Sequence, residues 1–172
     1  KWLNFFVDRI SGDGPNLGGN DGSFCFQLHE LSSRDFRPTL QLSAALDNSF
    51  KNSIYDDGRW NEPLIWFNLE KKCFIEFPLL KSKVFSKGGY INFRTKTNTW
   101  AYLRLPKYSF RPSQNDPFHF DLWHKGINIL RDGGSYSYNS SKRLLRYFSG
   151  IETHNTIEFK SEDQMISFSR FL

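Results

Sequence analysis

The sequence predicts a mainly β protein, an antiparallel sheet forming one layer of a β-sandwich, with a short helical segment at its N-terminal end. Three observations carry this. From about Ile65 onward, bulky residues alternate with small or charged ones in short runs. Clusters of Gly, Pro and Asn separate those runs as turns do. Aromatics make up 17% of the 172 residues, with 18 Phe, 7 Tyr and 5 Trp, ample apolar surface for a core at about 25 cal/mol per Å² buried.

Taken in order, residues 11–23 (SGDGPNLGGNDGS) hold five glycines with Pro, Asn and Asp and read as a loop. A helix is expected over 36–48. Ser33 and Asp35 offer caps, Pro38 suits a first turn, and Leu42, Ala45, Leu46 and Ser49 recur at helical spacing. Strands are expected in 66–79 (WFNLEKKCFIEFPL), in GGYINFRT and in WAYLRLP, which Pro106 ends. FHFDLWHKGINILRDGG is the most regular hairpin, with Phe118, Phe120 and Leu122 on one face and His119, Asp121 and Trp123 on the other, turning at His124–Gly126. TIEF (156–159) and the closing MISFSRFL are two further expected strands. The chain thus divides into a helical or irregular part, 1–60, and a β part, 61–172.

Composition narrows the function. There is no run of about 18 apolar residues, so no transmembrane helix is expected, and the opening KWLNFFVDRI has no apolar region or cleavage site of a secretory signal. Two cysteines, Cys25 and Cys73, allow at most one bridge, and their aromatic surroundings predict buried free thiols. The net charge is +5, and between Lys71 and Arg111 ten Lys or Arg face a single acid, Glu76. This is either a solvated basic surface or a binding face for an anionic polymer, nucleic acid or acidic polysaccharide. A nucleic-acid partner finds no further signature in the chain.

No phosphate loop, zincin helix, C-x-x-C or nucleophile elbow is present. GGNDGS follows no strand and reads as a plain turn. Among the four histidines, His124 sits in a hairpin turn, and a cross-strand hydrogen bond near Asp121 accounts for His119. His154 lies in ETHNTIEF, a polar cluster leading into an expected strand. RDGGSYSYN is a second polar cluster, with Asp132 at a strand end, a Gly pair, then Tyr136 and Tyr138. Asp132 and His154 have the right chemistry for a metal, but no third ligand is evident nearby.

The runs RPSQNDPFHFDLWHKGINILRDGGSYSYN, RYFSGIETHNTIEF and DQMISFSRFL resemble the C-terminal β-sandwich of heparinase II/III-like polysaccharide lyases. PNLGGNDGS and RDFRPTLQLSAAL resemble the end of that family's helical toroid. The resemblance implies a supersandwich-like β portion following the tail of an α/α toroid, and β-elimination on a uronic-acid polysaccharide. That reaction needs the uronate carboxylate neutralised, the C5 proton removed and the leaving oxygen protonated. In the family the toroid supplies an Asn, a Tyr and a His for this, which places the main acid and base upstream of Lys1.

The family's β region adds a His-x-His pair, an Asp after the next strand and a His-Asn motif; the second His, the Asp and the last His hold a structural zinc, and the first His faces substrate. On this pattern Asp132 is the aspartate, and His154 with Asn155 the final motif. Pro112 and Gln114 fall at the pair. An amide is a poor zinc ligand and proline has no base, so no metal or other cofactor is expected. Gln114, Asp132 and His154 are expected as a vestigial hydrogen-bonded cluster. His154 is the only catalytic candidate, and Arg111, Tyr136, Tyr138 and Asn155 are the substrate-binding candidates. Trp100, Tyr102 and Tyr108 are expected to stack on sugar rings. The implied partner is an anionic polysaccharide, the implied location periplasmic or extracellular, and an open sheet edge is expected to allow association. The alternative is a carbohydrate-binding or structural sandwich without catalysis.

Overall fold

The computed structural model describes residues 2–20, 22, 24, 26–47, 51–75, 80–107, 114–160 and 162–165. Two compact units divide it: Lys1–Gly14 with Gly22–Leu80, and Pro15–Asp21 with Lys81–Leu172.

The first unit is built on α1 (Arg37–Leu46), with Pro38 in its opening turn as expected. Asp35 accepts the backbone N–H of Arg37 at 3.0 Å and holds the Arg37 guanidinium at 2.9 Å. The helix packs Leu40 and Ala44 against Val7, Ile54 and Tyr55, with Leu3, Phe36 and Trp60 at the margin. One buried amide ties this core together. Gln41 Nε2 donates to Tyr55 O and Asn61 Oδ1, and its Oε1 accepts from the N–H groups of Ile54 and Tyr55, so all four bonds an amide offers are used.

The strand expected in 66–79 does not form in its described part. Glu62–Trp66 is a short helix, α2, with Pro63 in its first turn, and Asn68 at φ 49° turns the chain out of it. Ile65, Trp66 and Phe67 are exposed, and Phe74 makes only an isolated bridge to Ser53. Cys73 is exposed rather than buried; Cys25 lies outside the described residues.

The second unit is a five-stranded antiparallel meander, β1 (Lys83–Phe85), β2 (Tyr90–Arg94), β3 (Thr99–Arg104), β4 (Phe120–His124) and β5 (Ile127–Leu130), in sequence order. The β4–β5 hairpin forms where expected. Lys125 at φ 48° and Gly126 at φ 86° are its two loop residues, a pair of left-handed positions that match strand twist. The register shifts between Leu122 and Trp123, on the strand before the turn.

Register decides what each face carries. Tyr102 pairs with Asn92 on one side and Asp121 on the other, and Trp100 pairs with Arg94 and Trp123. All six side chains therefore share a face, and Asn92, Trp100, Tyr102, Asp121 and Trp123 are buried. The opposite face carries Ile91, Phe93, Ala101, Leu103, Phe120 and Leu122 by the same register, with Phe93 43% and Ile127 68% exposed. The aromatic and polar face is thus the more deeply buried; the other is half-buried, with Ala101 buried and Phe93 exposed.

After β5 the chain forms α3 (Lys142–Ser149), which the sequence reading missed. Ser141 caps it, its Oγ accepting from Leu144 N. A 3-10 turn, Ile151–Thr153, follows. TIEF is not a strand: among the described residues Phe159 makes an isolated bridge to Glu162, and Ile157 and Phe159 are exposed. The strand expected at 165–172 lies almost wholly outside the described residues. Among the described residues no helix is long and apolar enough to cross a membrane.

Candidate functional site

Three segments of the second unit converge on one buried cluster. His119 sits just before β4, where its carbonyl accepts from Arg104 N and extends the β3–β4 ladder. Asp132 follows the end of β5, and His154 follows the 3-10 turn after α3. The alternation that sends Asp121 and Trp123 inward sends His119 inward as well.

Asp132 is the hub. Its Oδ1 accepts from Gly134 N at 2.6 Å and Asn16 Nδ2 at 3.0 Å. Its Oδ2 faces both imidazoles, 2.8 Å from His154 Nδ1 and 3.5 Å from His119 Nε2. Burial would raise the Asp132 carboxyl. The hydrogen bonds from His154 and Asn16, with the favourable charge of the histidines, outweigh it and hold the group down to about 2. The two rings meet edge to face with centroids 5.6 Å apart. Asp121 Oδ2 stands 3.4 Å from the same His119 Nε2, while Asp121 Oδ1 accepts from Asn128 Nδ2.

Hydrogen bonding sets the two tautomers differently. The Asn155 N–H donates to His119 Nδ1 at 3.1 Å, so the neutral His119 ring carries its proton on Nε2, toward the carboxylates. His154 Nδ1 donates to the charged Asp132, while its Nε2 is buried and without a hydrogen-bond partner among the described residues.

The donor set fits a divalent ion. One charged carboxylate and two imidazoles, all buried, place ligand atoms within 4.8 Å of one another, and nitrogen with oxygen and no thiolate suits zinc or a similar first-row ion. Occupancy sets one local condition. The nitrogens nearest Asp132 must give up their protons, so the Nδ1 of His119 becomes a donor and the Asn155 amide must leave it.

A family model, Heparinase II/III-like, C-terminal, matches residues 78–172. The chain belongs to that family. Its fold is also similar to solved structures of heparinases. A heparinase III bearing methylated lysines superposes with a TM-score of 0.62 at 15% identity, over 94% of this chain and 23% of its own. The heparan sulfate lyase HepC from Pedobacter heparinus gives 0.61 at 17%, over 96% and 24%. A further heparinase III gives 0.51 at 18%, over 94% and 25%. The heparinase-like chain therefore spans about a quarter of the length of these structures. No curated protein sequence matches it.

The remaining expectations for this heparinase-like chain sort by burial. Gln114 is buried, but its Nε2 reaches Gly134 O and Ser135 Oγ, both at 3.4 Å; the third group beside Asp132 and His154 is His119. His119 carried no such expectation; the strand alternation turns it inward. Arg111, Pro112 and Tyr108 lie outside the described residues. Trp100 and Tyr102 cannot stack on a sugar here, because both are buried, Trp100 lying flat against Trp123 at 5.3 Å with Arg94 over its ring. Tyr136 and Tyr138 are exposed. Tyr136, at φ 56°, stacks on Phe148 of α3 at 5.2 Å. Asn155 acts through its backbone: its N–H meets His119 and its carbonyl accepts from Phe120 N at 3.0 Å. His124 is paired across the hairpin with Thr99 Oγ1 at 2.7 Å.

Proposed function

We propose that this chain is the β portion of a polysaccharide lyase acting by β-elimination on a uronic-acid-containing polymer, outside the cytoplasm in the periplasm or beyond. The observation that carries the reading is the family match over the segment that holds His119, Asp132 and His154. Those three residues would hold a divalent ion. When bound, such an ion supplies fixed positive charge and a crosslink between three chain segments.

The chain's own residues do the rest. Asp132, kept charged, presents one oxygen to both rings and fixes the ends of β4 and β5 against the turn after α3. That bracing holds Asn155 and the exposed faces of Tyr136 and Tyr138 on one rigid frame, as stacking against a sugar ring requires. Lys81, Lys83, Lys87, Lys96 and Lys107 are exposed and contribute a cationic field that attracts an anionic polymer. Not all of the basic run is available: Arg104 is engaged with Asp116, and Lys71 with Asp57. Removal of the C5 proton and protonation of the leaving oxygen fall to groups outside this chain.

One observation favours the second reading, a sandwich that binds carbohydrate without cleaving it. If His119 is the second member of the family's pair, the first place is Pro117, which offers no base toward substrate. The test is to incubate the full-length protein carrying this chain with heparan sulfate, alginate and other uronate polymers, following the ultraviolet absorbance of the unsaturated product. Rising absorbance with chain shortening is expected. Salt-sensitive binding with no product from any of the polymers would overturn the lyase reading in favour of the second.

A further inference from the structure

A loop distant in sequence reaches the cluster. Residues Pro15–Asp21 belong to the second compact unit, although the chain on both sides of them belongs to the first. They lie along the segment that follows β5. Asn16 Nδ2 donates to Asp132 Oδ1 at 3.0 Å, and Asn20 N donates to Ser135 Oγ at 2.9 Å. The approach is close: a Cβ added at Gly19 would stand 3.3 Å from the Tyr138 ring and hydroxyl, so a glycine there lets the loop lie against that tyrosine.

We propose that Asn16 is a positioning residue for the metal centre, and that the 15–21 loop is part of that centre. The proposal rests on reading His119, Asp132 and His154 as a metal site. The terminal torsion of an aspartate is broad and nearly two-fold, so a carboxylate held by one donor can swing and offer either oxygen. Here Gly134 N and Asn16 Nδ2 both engage Oδ1. Together they leave Oδ2 as the oxygen that faces His119 and His154. The backbone donor comes with the chain, and Asn16 is the side chain that completes the pair. Outer donors of this kind tune a ligand's orientation and affinity without touching the ion.

The test uses the full chain and three proteins: wild type, Asn16→Ala, and Ser135→Ala, which removes a second hydrogen bond to the loop while sparing Asp132. Zinc affinity is measured by competition with a chromophoric chelator, and the visible absorption of bound cobalt reports ligand geometry. The expected result is about 10–100-fold weaker zinc binding and an altered cobalt spectrum for Asn16→Ala, with both unchanged for Ser135→Ala. A wild type that binds zinc and an Asn16→Ala protein that binds it equally well, with the same cobalt spectrum, overturns the proposal alone. Equal weakening in both variants also overturns it, because any loosening of the loop would then suffice. A wild type that takes up neither metal overturns the centre itself.

Discussion

Replacing Asp132 with alanine is expected to destabilise the second unit by about 3–5 kcal/mol, the scale for removing one partner of a buried charged pair. The deletion leaves Asn16 Nδ2 without its Oδ1 acceptor, and Gly134 N likewise. It also removes the acceptor of His154 Nδ1 in a cluster whose three members are all buried. Asp132→Asn is the milder control, since it keeps the volume and one acceptor but loses the charge. Acid titration separates the two contributions. The Asp132 carboxyl is held at about 2 against its ordinary 3.8, so its stabilisation is complete above about pH 4 and is lost as pH falls through about 2. The lowered carboxyl corresponds to roughly 2–3 kcal/mol. Wild type should therefore show an acid-dependent loss of stability over that window that Asp132→Asn lacks. Chemical unfolding at several pH values, followed by tryptophan signals, checks this, and identical acid profiles for the two proteins would contradict it.

Trp123→Ala is expected to cost about 3–5 kcal/mol as well, by a different route. The Trp123 side chain is 1% exposed and lies parallel to Trp100 at 5.3 Å in the same cross-strand pair. Truncation removes the stack and leaves a cavity on the buried face of the middle strands, the face that also carries Asp121. Trp123→Phe keeps most of the volume and should recover much of the loss. The measurement is the unfolding midpoint together with near-ultraviolet circular dichroism, where the stacked indole pair contributes. A variant within about 1 kcal/mol of wild type, below the usual range for such truncations, would mean the stack does not organise the sheet.

The hairpin was legible because two local signals agree there: strict alternation from Phe118 to Trp123, and a Lys-Gly pair able to take left-handed geometry. Helix α1 was legible for a similar reason, a proline in the first turn followed by helical spacing. Stretch 66–79 misled because apolar residues are common to strands and short helices, and Pro63 starts a helix one turn before the expected strand. Helix α3 carried its own signal, Ser141 before KRLLRYFS and Gly150 after it, but eight residues are too few for periodicity to stand out against a neighbourhood of loops.

The covered face of the sheet was harder to foresee. Both faces carry aromatic residues, and the more deeply buried one bears Asn92, Tyr102, Asp121 and His119, whereas the more aliphatic one is mostly half-buried. Trp100 and Tyr102 were expected to meet sugar because they are aromatics in a basic stretch, and composition does not show that register turns both onto the buried face. At the cluster, Asp132 and His154 were legible from their polar surroundings. His119 was not, because the link between them is tertiary: it depends on the register that brings the start of β4 beside the end of β5. Asn16 carried no local signal at all, being 116 residues from its partner.

Metal content decides whether His119, Asp132 and His154 hold an ion. The full chain, stripped with chelator and re-equilibrated with zinc, should retain the ion stoichiometrically after desalting. His119→Ala and His154→Ala should each retain far less, and loading should displace the Asn155 amide from His119, seen as a shift of its backbone resonance. Zinc retained equally by both variants, or not retained by wild type at neutral pH, would contradict the account and leave the cluster as a hydrogen-bonded core.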